Sequence, residues 1–254
     1  MVCNTCISLI PKVNGKIHHF RYGGLHNGLA LLVDRETHSY WDHLTGECVH
    51  GPMQGYQLEG VAPIEHMVAG PASKAEPEAL IAISKRGPIS RGIAYVLNRS
   101  CAPETKGFIP PHFFPTMVEP NAERSMLELG LGIWIRQHAR FYPFDNLSKD
   151  GSVRFDTLAG RRMAIFVDKI SGVPSVIFTE ATAGEWKGDA LHFNNGQVLD
   201  HGKLRLPNGN GSPKTTLPER PKHVFTRWYG FSYMFPTCEV ANEEVEAQQA
   251  ARAR

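Results

Sequence analysis

No stretch of this 254-residue chain approaches the roughly 20 consecutive apolar residues that a bilayer-crossing helix needs. The start lacks the basic segment and apolar run of a secretory signal. These absences point to a cytoplasmic protein with no membrane partner, although the chain is organised within three residues of Met1, which leaves room for a segment upstream. Charge of one sign is missing too: 27 basic side chains face 25 acidic ones, for a net +2. That leaves no excess to neutralise a phosphate backbone, so nucleic acid is not an expected partner. Cysteine is scarce. Cys3, Cys6, Cys48, Cys101 and Cys238 are five thiols, odd in number and mostly far apart, which is not a disulfide framework. There is no Gly-x-Ser-x-Gly elbow, no His-Glu-x-x-His, no EF-hand loop and no Gly-x-Gly-x-x-Gly after a strand, so α/β-hydrolases, zincins and Rossmann dehydrogenases drop out. The glycines around Asn210 lack a Gly-Lys-Ser/Thr ending, and Pro213 stands where a phosphate-binding helix would open.

Glycine (24) and proline (18) are plentiful. Many turns mean short strands, and the fold class expected is mainly β, a sandwich or barrel-like arrangement of two related hairpin-rich halves with one or two short helices. Asn14-Gly15 is a hairpin turn before Gly15–Tyr22. Leu29–Asp34 is a buried strand, Ser39–His43 its return, and Cys48–His50 a further strand. Ser73 with Glu76 starts a helix over about 74–85. A proline-rich connection over 101–126 separates a first half (1–100) from a second (127–240), and a polar tail follows (241–254). Arg162–Lys169 repeats the Leu29–Arg35 pattern: an apolar strand ending in Asp plus a basic residue, then a turn, then a return strand. This is read as a duplicated β unit. Residues 207–221 read as a loop, and Phe225–Phe231 as the last strand.

Several segments carry a resemblance. Cys3-Asn4-Thr5-Cys6 is followed by Gly24–Leu29, Asp34-Arg35-Glu36-Thr37, Ser39-Tyr40-Trp41 and Leu44-Thr45-Gly46-Glu47, with Gly51-Pro52 after it. Ala139-Arg140-Phe141-Tyr142-Pro143, Phe155–Gly160 and Trp228–Thr237 follow later. In these the chain resembles the domain-of-unknown-function family 3179. Two departures stand out. The Ala-Arg-x-Tyr-Pro and Asp-Thr-x-x-Gly elements come after the Cys-x-x-Cys segment rather than before it, and Asn4 replaces a proline. The resemblance implies a fold and marks residues; it implies no reaction.

The Cys3/Cys6 pair is the sharpest chemical signal. A Cys-x-x-Cys turn directs two thiolates at one soft cation, or sets a nucleophilic or redox thiol beside a resolving one. Six of the twelve histidines lie in residues 1–50. Cys48 and His50, two apart on a strand, are expected on one face. Cys3, Cys6, Cys48 and one of His43 or His50 would then hold copper or zinc. The expected function is a metal-ion or small-molecule binding protein or metalloenzyme, against a thiol-dependent enzyme (Cys3, Cys6, with Asp34 as an acid) or a non-catalytic β binding module. Asn27, Arg35, Trp41 and Trp228 are candidate pocket residues, with burial in the core the plainer use of the aromatics and turn capping the plainer use of Asp34.

Overall fold

The computed structural model describes residues 7–63, 111–117, 124–148, 151–207 and 214–241, with isolated positions between 70 and 109. Cys3, Cys6 and Cys101, the tail beyond 241, and most of the expected helix and proline-rich connection lie outside them. The fold is mainly β, in antiparallel sheets with short helices. The chain divides into two compact units. One gathers Met1–Glu65, Ala94–Leu129 and Val224–Thr237; the other gathers His66–Ile93, Gly130–His223 and Cys238–Arg254.

In the first unit β1 (Ile7–Leu9) pairs with β8 (Gly60–Pro63). A hairpin of β2 (Lys12–Val13) and β3 (Lys16–Ile17) turns at Asn14-Gly15, whose φ angles of 50° and 80° are those of a tight type I′ turn. A four-stranded meander follows: β4 (Phe20–His26), β5 (Leu29–Asp34), β6 (Tyr40–Asp42) and β7 (Cys48–His50). β4 and β5 turn at Asn27-Gly28, again with both φ positive. Their register then slips by one residue between Tyr22 and Gly24. Trp41, Cys48, Val13 and Leu58 form one core cluster. Leu29, Ile109 and Tyr229 form another.

In the second unit β9 (Leu129–Ile135) and β10 (His138–Pro143) form a hairpin, and β20 (Glu239–Val240) adds in parallel to β10. Arg140 grips Glu239 on that added strand and Asp156 on β11 (Arg154–Leu158). The buried Tyr142 hydroxyl also donates to Asp156, at 2.5 Å. β11, β12 (Arg161–Val167) and β13 (Pro174–Phe178) make a three-stranded sheet. β14 (Gly184–Lys187), β15 (Ala190–Phe193), β16 (Val198–Asp200), β17 (Lys203–Leu206) and β18 (Lys214–Thr216) make a five-stranded meander.

Two expectations are corrected. The strand expected over Phe225–Phe231, β19 (Lys222–Arg227), stops four residues short of Phe231, β20 rather than β19 is the last strand described, and Trp228–Met234 is a helix. Its aromatic residues favour a strand by composition, but context decides. The first two helical N–H groups, of Trp228 and Tyr229, donate to the carbonyls of Glu128 (2.8 Å) and Met126 (3.1 Å). Donors that a helix start leaves open are thereby satisfied, while Trp228, Tyr229 and Phe231 are buried. Likewise residues 207–221 are not loop throughout, because Lys214–Thr216 pairs with β17.

Candidate functional site

Three hairpins use the same turn. At Asp34, Asp42 and Asp168 one carboxylate oxygen accepts from the backbone N–H and the hydroxyl of the Ser or Thr three residues on. For Thr37 the distances are 2.5 and 2.8 Å; for Thr45, 2.7 and 3.2 Å; for Ser171, 2.7 and 2.9 Å. The next residue is left-handed (His38, Gly46, Gly172), and its N–H returns to the Asp carbonyl. This is an Asp-capped turn that the Asp-x-x-Ser/Thr spacing encodes.

Asp34 does more than the turn requires. It is fully buried, and its second oxygen accepts the Trp41 indole N–H at 2.7 Å. A chain of hydroxyls ends on it. The Met53 N–H donates to Ser39 Oγ (3.1 Å), Ser39 Oγ lies 2.7 Å from Thr37 Oγ1, and Thr37 Oγ1 reaches Asp34. An amide can only donate and a carboxylate only accept, so Ser39 gives its proton to Thr37 and Thr37 gives its own to Asp34. Burial pushes the Asp34 carboxyl up, but the bonds from Trp41 and Thr37 and the nearby His18 outweigh it and hold it below its ordinary value.

His18 completes the cluster. The β4–β5 register pairs Phe20 with Asp34 and is prolonged by the Arg35 N–H donating to the His19 carbonyl at 2.9 Å. Side chains alternate along strands, so His18, Phe20, Asp34, Glu36 and Trp41 fall on one face; Phe20 meets Trp41 edge-on, centroids 5.8 Å apart. His18 is only 7% exposed, and its Nδ1 has no hydrogen-bond partner. It lies 3.6 Å from Asp34 Oδ1 and 4.0 Å from Glu36 Oε2. Ligand atoms of the three residues all fall within 4.8 Å of one another. Glu36 is clamped by its neighbour: His19 Nδ1 donates to Oε1 at 2.6 Å and the His19 N–H to Oε2 at 2.9 Å. The His19 ring bond, then its backbone bond, pull the Glu36 carboxyl down to about 2.

The other expected site residues are dispersed. Cys48 is buried in the core, where its thiol donates to the His50 carbonyl at 3.5 Å and burial raises its pKa. Cys48 and His50 do not share a face. β6 and β7 slip register between Tyr40 and Trp41, the extra residue Val49 breaks the alternation, and His50 is exposed, its ring 6.2 Å from that of Tyr40. His43 is half-buried. Among the described residues, His43, Cys48 and His50 form no three-ligand group. Asn27 sits at the hairpin tip with its N–H on the Thr116 carbonyl, Arg35 is exposed, and Trp41 and Trp228 are interior. His18 and Glu36 escape the sequence reading. The signal for them is the strand register, which places them opposite each other.

A family described as protein of unknown function (DUF3179) matches residues 1–185 of the chain, and the chain belongs to that family. No curated protein and no solved structure matches it. Among the described residues, no helix is long and apolar enough to cross a membrane.

Proposed function

We propose that this member of the DUF3179 family is a metal-binding β protein that holds a divalent transition ion between His18, Asp34 and Glu36. One observation carries the reading: a buried imidazole nitrogen without a hydrogen-bond partner faces two ionised carboxylates. Leaving such a nitrogen unsatisfied costs about 1–3 kcal/mol. The spacing also suits an ion. The gaps of 3.6 and 4.0 Å are too long for hydrogen bonds, whereas ligands about 2.1 Å from a four-coordinate zinc stand about 3.4 Å apart. Thr37 Oγ1 stands 2.8 Å from both Asp34 oxygens and has one proton to give; given to Oδ2 beside the Trp41 N–H, it leaves Oδ1 holding only the Thr37 N–H, with one lone pair for a cation on the oxygen that faces His18. One imidazole and two carboxylates are a mixed N/O set, which favours zinc over copper(I). Such an ion would act as a Lewis acid if the protein is an enzyme.

The test is elemental analysis of protein purified without chelator, followed by zinc titration calorimetry. Stoichiometric zinc that His18→Ala abolishes supports the reading; protein that neither carries nor takes up a divalent ion refutes it. A second reading, a non-catalytic module in which these residues only lock the turn, has its own support in the Asp42 and Asp168 turns, which use the same carboxylate geometry and, among the described residues, belong to no three-ligand group. It predicts that His18→Ala changes stability and nothing else.

A further inference from the structure

We infer that His19, which touches no ion itself, is the positioning residue that makes Glu36 the third ligand; this rests on the metal reading above. Asp34 needs no such help, being fully buried and bonded by Thr37 and Trp41. Glu36 differs. It stands in the turn with its side chain 34% exposed, and a glutamate there has three rotatable bonds and many rotamers. His19 removes that freedom. Its ring N–H takes Oε1 and its backbone N–H takes Oε2, a two-point grip that leaves Oε2 4.0 Å from His18 Nδ1. The His19 ring is itself 67% exposed and belongs to no core cluster among the described residues, so packing does not explain it. Residues that orient a ligand in this way are worth about 10–100-fold in metal affinity.

The experiment is zinc titration of the full chain and of His19→Ala, His19→Asn and Glu36→Gln, each alongside thermal unfolding without metal. Binding is read by calorimetry and by the change in tryptophan fluorescence, to which Trp41 contributes because its indole donates to the Asp34 carboxylate. His19→Ala is expected to weaken zinc about tenfold or more, beyond what any fall in metal-free stability accounts for, and Glu36→Gln to weaken it at least as much. His19→Asn, which retains a side-chain N–H, is expected to recover part of the loss. Wild-type affinity in His19→Ala overturns the inference while leaving the metal reading intact. A fall in metal-free stability with no separate change in affinity also overturns it, by showing a merely structural clamp. If the unaltered chain takes up no divalent ion, the metal reading itself fails, and the two failures are thus told apart.

Discussion

The Asp34 carboxylate is ionised and sealed from water, and nearly everything around it exists to make that tolerable. Its indole partner is therefore expected to matter more than its bulk: Trp41→Phe keeps most of the ring but removes a donor to a buried charge. A loss of about 1–3 kcal/mol in urea unfolding at unchanged m-value is the expected result. Asp34 and Glu36 also set the response to acid. Both carboxyls sit below their ordinary values when folded, Glu36 at about 2 against 4.5. Unfolding returns them to ordinary values, so the unfolded chain binds more protons as the medium acidifies. The stability they give is complete above about pH 4.5 and is lost as pH falls toward about 2. Urea midpoints across that window are expected to decline for the unaltered chain and to decline less for Glu36→Gln; parallel curves would exclude the His19–Glu36 grip as a cause.

At the scale of elements, the decisive feature is one extra residue in β4. Gly24 has a φ of 130° with open space where a Cβ would stand, so Gly24→Ala costs backbone strain alone, about 1–3 kcal/mol. The Tyr22–Gly24 slip sets the register beyond it, so this substitution is also expected to weaken zinc uptake although it lies remote from the ion. The three Asp turns supply the control. Asp42→Ala and Asp168→Ala are expected to lower the melting temperature without affecting zinc, and Asp34→Ala to do both. Much of the meander was legible in the sequence, because Asn14-Gly15, the apolar Leu29–Asp34 and the Asp-x-x-Thr turns each declare themselves locally. The site was legible only in Asp34. Counting outward from the Asn27-Gly28 turn without a slip sets Glu36 opposite His19 and sends His18 to the other face. The bulge reverses this, and no side chain announces it. Val49 does the same to Cys48 and His50. The Trp228–Met234 helix was hidden for another reason: the carbonyls that secure its start belong to Met126 and Glu128, a hundred residues earlier in the chain.

On the scale of the molecule, each unit is assembled from separated stretches of chain. The Leu29–Ile109 cluster in the first unit is closed by Tyr229, with Tyr233 and Met234 packed against it. A chain truncated after His223 keeps every proposed zinc ligand yet loses that closure. It is expected to show early, broad thermal unfolding relative to the full chain, and equal melting of the two would refute a role for the helix in sustaining the first unit. The same interleaving bears on how the protein is made. A ribosome delivers His18, Asp34 and Glu36 long before Tyr229, so throughout synthesis of the intervening chain the nascent first unit waits with an unfilled apolar notch. Domains emerging in this way generally fold in order of synthesis; here completion is postponed until the aromatic Trp228–Met234 segment clears the exit tunnel, and holdase chaperones have that interval in which to engage.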